Sequence, residues 1–108
     1  MTIKLLEVLG FNPCHDGTMY LSEILDMDLW KNKYLSACEV IAFKHGLKES
    51  NVHVKIRYAI EESWKYGEES KWERIGFDYK PSPKQLIRKL GVSLMSRSVD
   101  EIINDLFS

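Results

Sequence analysis

Cysteine is scarce in this chain of 108 residues: there are two, Cys14 and Cys38, too few for a disulfide framework. That scarcity points to a reducing, cytoplasmic setting. No apolar run approaches the roughly 18 residues that a membrane span needs. The opening Met-Thr-Ile-Lys-Leu-Leu-Glu-Val-Leu-Gly has too short an apolar stretch, interrupted by Glu7, to read as a signal peptide. Strand-like alternation, internal repeats, low-complexity tracts and Gly-rich phosphate loops are all missing, so the chain reads as all-α. Cys14-His15, and Cys38 with His45, carry zinc-capable atoms at spacings that match no standard ligand pair. No orienting residue can be picked out for a Cys–His nucleophile. The expectation is a protein without metal, cofactor or small-molecule substrate, and not an enzyme.

Charge is present in balance, with a net of −1, but it is unevenly placed. Residues 44–57 hold Lys44, Lys48, Lys55 and Arg57 against Glu49, a net of +3, with His45 and His53 beside them. Residues 80–97 hold Lys80, Lys84, Arg88, Lys89 and Arg97 with no acid, while the three remaining segments are each acidic. Two basic segments between acidic ones suit a small, directed surface for phosphates, with Lys84, Arg88 and Lys89 as further candidate contacts.

The apolar residues recur at helical spacing. Ile3 to Leu9 make a first helix closed by Gly10, and Thr18 is a candidate cap for a second carrying Leu21, Ile24 and Leu25. A bend falls within Trp30 to Tyr34, and a helix follows from about Leu35 to His45. After Gly46 the next helix runs from about Glu49 to Tyr66. Val52, Ile56, Ala59, Ile60 and Ser63 lie on one side of it; Ser50, Asn51, Val54, Arg57, Tyr58 and Glu61 lie on the other. Gly67 to Lys80 reads as a loop pinned by Trp72, Phe77 and Tyr79. Ser82-Pro83-Lys84-Gln85 opens a helix that Gly91 is expected to end. Ser98-Val99-Asp100-Glu101 opens a last one, with Val99, Ile102, Ile103, Leu106 and Phe107 on a single stripe. That stripe either folds back on the bundle or forms a dimer contact.

A helix, a Gly turn and an amphipathic helix in succession form the unit that sets a helix in the DNA major groove. Here the wording is specific. Ile41-Ala42, the turn at Gly46, Ser50, Val52, Ile56-Arg57, Ala59-Ile60-Glu61, Trp64 and Gly67 resemble the C-terminal DNA-binding domain of the response regulator of sporulation initiation in spore-forming Firmicutes. Glu7-Val8-Leu9-Gly10, Gly17-Thr18-Met19-Tyr20-Leu21, Lys80-Pro81-Ser82 and Gln85-Leu86-Ile87 are similar to it in the same order, over roughly residues 5–91. The resemblance implies a compact six-helix bundle containing a helix-turn-helix at about 35–66, and the added last helix, outside the family pattern, makes six to seven in all. Residues 1–91 would form the DNA-binding domain and 92–108 an additional C-terminal amphipathic helix. It also implies double-stranded DNA as partner, bound by a homodimer or by tandem copies. The family's phosphoacceptor receiver domain is not in this sequence, so the chain by itself is not expected to respond to aspartyl phosphorylation.

The expected DNA-contacting residues are Lys48, Ser50, Asn51, His53, Val54, Lys55, Arg57 and Tyr58. Where the family reads bases with an acidic residue followed by Arg, this chain has His53 and Val54. Val54 cannot make a bidentate contact to guanine, though its methyls suit thymine. The target sequence is therefore expected to differ. The alternative expectation is a protein-interaction module, associating with a regulator or with itself, that has lost DNA readout.

Overall fold

The computed structural model describes residues 2–108, and among them there are seven α-helices, one 3-10 turn and no strand. The helices are α1 (Thr2–Val8), α2 (Asp16–Asp26), α3 (Tyr34–His45), α4 (Glu49–Tyr66), α5 (Glu69–Arg74), α6 (Pro83–Ser96) and α7 (Val99–Phe107), with the 3-10 turn at Leu29–Lys31. The all-α bundle expected from periodicity is the fold observed.

The core is built around α4. Val52, Ile56, Ala59, Ile60 and Ser63, the stripe read from sequence, are all buried. They face α2, the broadest neighbour of α4, and then α3. Leu21, Ile24, Cys38, Ile41, Leu86 and Leu90 complete the centre with almost no exposure. Close approach of α2 depends on Gly17, because a Cβ placed there would sit 2.0 Å from the Lys55 carbonyl oxygen and 3.0 Å from the Ala59 methyl.

Three local expectations are corrected. Thr18 does not cap α2: the helix already starts at Asp16 after His15, and Thr18 is buried inside it with its hydroxyl unpartnered. The segment after Gly67 is not a plain loop, because α5 forms there. Its Trp72 is 1% exposed, set edge-on to Trp64 at 5.2 Å and against Phe11 and Phe77. Of the three rings expected to pin this segment, Trp72 and Phe77 are buried, and Tyr79, half exposed, stands edge-on to Phe77 at 6.1 Å.

The third correction is at Gly91, which does not end a helix. α6 runs through it to Ser96, and its missing side chain receives the ring of Trp30, whose Cδ2 would lie 2.2 Å from an added Cβ. The boundary drawn at 91/92 thus falls within a continuous helix. Both capping boxes form as expected, Ser82 with Gln85 and Ser98 with Glu101.

α7 folds back onto α1 and α5, burying Ile102 and Leu106. Full burial of such side chains stabilises by about 1.5–3 kcal/mol each. Phe107, counted in the same stripe, stays exposed at 64%, with the Lys71 ammonium 4.1 Å from its ring centre.

Glycine substitutions separate crowding from backbone conformation. Gly17→Ala drives a carbon into the backbone of α4 and is expected to cost about 1–3 kcal/mol or more, the range for overpacking a core. Gly46→Ala meets nothing within 4 Å but keeps a positive φ of 66°. It is expected to cost about 1 kcal/mol, the left-handed penalty alone. Urea unfolding of both variants checks this; equal costs, or the reverse order, would contradict the crossing at Gly17.

Candidate nucleic-acid interface

The turn between α3 and α4 is fixed by its own hydrogen bonds. Gly46 adopts φ 66°, ψ 37°; its N–H donates to Phe43 O at 3.4 Å and the Leu47 N–H donates to Ala42 O at 2.8 Å. This pair of bonds is the Schellman arrangement, which closes a helix and redirects the chain within a few residues. Lys48 then takes an extended conformation, and its carbonyl accepts from Asn51 and Val52 to start α4.

Because the apolar stripe of α4 is buried, the opposite side faces outward over its first turns. Lys48, Ser50, Asn51, Val54, Lys55, Arg57 and Tyr58 are all exposed, Val54 at 60% and Tyr58 at 54%. His53 is the exception. It is half-buried, edge-on to the ring of Tyr34 on α3 at 5.5 Å, with Nδ1 hydrogen-bonded to the Tyr34 hydroxyl at 2.8 Å. In this arrangement His53 joins α4 to the start of α3. Burial, followed by a hydrogen bond to the Cys38 thiol, pushes the Tyr34 pKa well up, so its hydroxyl stays protonated. Burial likewise raises the pKa of Cys38, which leaves a structural thiol rather than a reactive one.

The outward cations differ in their partners. Lys55 lies 3.5 Å from Asp16, and both are about half exposed. Tyr58 donates to Glu62 at 3.0 Å and its ring stands 5.4 Å from His15. The hydrogen bond to Glu62 and that group's charge raise the Tyr58 pKa. Lys48 and Arg57 form no ion pair among the described residues. Arg57 borders a cleft with Lys80 and the Pro81-Ser82-Pro83 start of α6, and Lys80 reaches Glu61 at 3.2 Å.

The two basic segments of the sequence thus meet in space, through Arg57 on one side and Lys80 on the other. Lys84 and Arg88 share a second cleft with Tyr34 and Lys33. Lys89 parts from them and lies over Gly76. Sequence reasoning passed over Lys33 and Tyr34. Lys33 stands in a segment of net negative charge, and nothing in a linear pattern signals the bond from Tyr34 to His53.

The far end of α3 is held by charge. Glu23 on α2 is hydrogen-bonded to the Lys44 ammonium and, at 2.7 Å, to His45 Nε2. Among the described residues, no group of three His, Cys, Asp or Glu could hold a metal ion, and no helix is long and apolar enough to cross a membrane. No family model, curated protein or solved structure matches the chain.

Glu23 gives this scaffold a pH dependence. Burial acts to raise its pKa, but the hydrogen bonds from Lys44 and His45 outweigh it and hold the carboxyl below its ordinary 4.5. The unfolded chain therefore takes up the proton first. The stabilisation is complete well above pH 4.5 and is lost as pH falls through the lowered folded value. Glu23→Gln is expected to cost about 1–3 kcal/mol at neutral pH and to flatten the acid limb of stability against pH. Urea titrations across that range check it, and an unchanged acid limb would contradict it.

Proposed function

We propose that this chain binds double-stranded DNA by setting the opening turns of α4 into the major groove. It would act in transcriptional regulation, in a sporulation-related setting like that of the family it resembles. One observation carries the reading: Asn51, Val54 and Arg57 stand exposed together on the first half of the second helix of a tightly turned helix pair. Asn51 suits the adenine edge, Val54 the thymine methyl, and Arg57 either guanine or phosphate. Lys48 at the helix start, and Lys80 and Lys84 at the start of α6, suit flanking phosphates.

The acidic second half of α4, with Glu61 and Glu62, repels the DNA backbone and limits docking to the N-terminal turns. Such a protein does no covalent chemistry. Two copies, as a homodimer or in tandem, would extend the site.

A second reading has its own observation. Phe43 on α3 is 91% exposed, with Val40 and Leu47 also exposed nearby in sequence. This apolar surface favours a protein-interaction module that has lost DNA readout.

Selection of bound duplexes from a random pool at two salt concentrations distinguishes the two readings. A defined consensus that weakens as salt rises supports DNA binding. No enriched sequence, together with self-association abolished by Phe43→Ser, supports the interaction module. On the consensus duplex, Arg57→Ala is expected to cost about 1–3 kcal/mol at fixed salt, and an unchanged dissociation constant would remove Arg57 from the interface.

A further inference from the structure

A cup of about 400 Å³ opens between the 3-10 turn, the first turn of α3 and α6, within the size range of small-ligand sites. Its wall is apolar, formed by Leu29, Trp30, Ala37 and Ile87, with the half-exposed Leu35 at its edge. Gly91 builds part of that wall indirectly, because the absence of its side chain lets the Trp30 indole lie against α6.

Three cations, Lys33, Lys84 and Arg88, also line the cup, and no acidic residue does. None of the three forms an ion pair with a carboxylate among the described residues. Like charges held around one concavity repel, and a bound anion would relieve that repulsion. A DNA phosphate would meet the cations but would leave the apolar wall unused. An occupant matching both features has an anionic head and an apolar body.

We propose that this cup is a binding site for a small amphipathic anion, such as a medium-chain or aromatic carboxylate. The inference does not depend on the DNA reading, although the site is connected to α4. Tyr34 lines the cup, and its hydroxyl is the group bonded to His53. An occupant therefore sits one side chain away from the outward turns of α4.

The test is a titration of the full chain with decanoate below its micellar concentration, followed by NMR. Saturable shifts are expected at the Trp30 indole and at the amides of Leu35, Ser36 and Arg88. Arg88→Gln removes a cation and Leu35→Glu adds a negative charge that repels the carboxylate of the ligand. Both positions are exposed, so circular dichroism should be unchanged, and each variant should weaken binding by about fivefold or more. Decanol, of equal length but neutral, should bind at least about fivefold more weakly, and inorganic phosphate should not saturate.

Phe43→Ser should leave decanoate binding as it was. Equal binding of decanol would reduce the cup to an apolar patch, and equal binding of phosphate would reduce it to a surface cation cluster. Either result overturns the proposal, as would shifts centred on Phe43 or none that saturate. A protein that takes decanoate here but binds no duplex would sustain this inference while sinking the DNA reading.

Discussion

Everything that α4 presents to solvent depends on how closely α2 crosses behind it. At Gly17 there is no room for a single further carbon, because the Lys55 carbonyl oxygen would lie 2.0 Å from it. That contact seats the valine–isoleucine stripe of α4 in the core, and the helical period then forces Asn51, Val54 and Arg57 outward. The Schellman turn at Gly46 sets where α4 begins, and the tie from Glu23 to Lys44 and His45 holds the end of α3 that leads into it. Packing, turn chemistry and one half-buried carboxylate thus converge on the orientation of a single helix.

The charges around that helix are loosely held. Lys55–Asp16 and Lys80–Glu61 are exposed pairs, and such pairs contribute about 0–1 kcal/mol. Exchanging their carboxylates for phosphates would cost little, whereas breaking the buried stripe would cost several times as much. A polyanion arriving at this face could therefore recruit the lysines without disturbing the fold. The same economy does not extend to His53, whose bond to Tyr34 links α4 to α3 and to the neighbouring cup.

Local signals carried much of the architecture. The extent of α4, its buried stripe, the turn at Gly46 and both capping boxes follow from spacing and from residue type within a few positions. What could not be read depends on partners distant in sequence. Gly91 resembles a helix terminator until Trp30 is known to occupy its missing side chain, and α5 is held by Trp72 packing against Trp64, Phe11 and Phe77. Thr18 has the composition of a cap, yet the helix has already begun at Asp16, and Gly17 within it meets the backbone of α4. On the candidate face, exposure at Asn51, Val54 and Arg57 followed from periodicity. The diversion of His53 to Tyr34, and the gathering of Lys33 with Lys84 and Arg88, did not.

The central claim is that the opening turns of α4 are the surface that meets a duplex. Its most direct measurement is an NMR footprint of the full chain with a short mixed-sequence duplex at low salt. The account predicts that the largest amide perturbations fall within residues 48–58, with a weaker flank at Lys80 and Lys84, and that they fade as salt rises. Perturbations centred on Phe43 or on α7, with residues 48–58 unmoved, would contradict it.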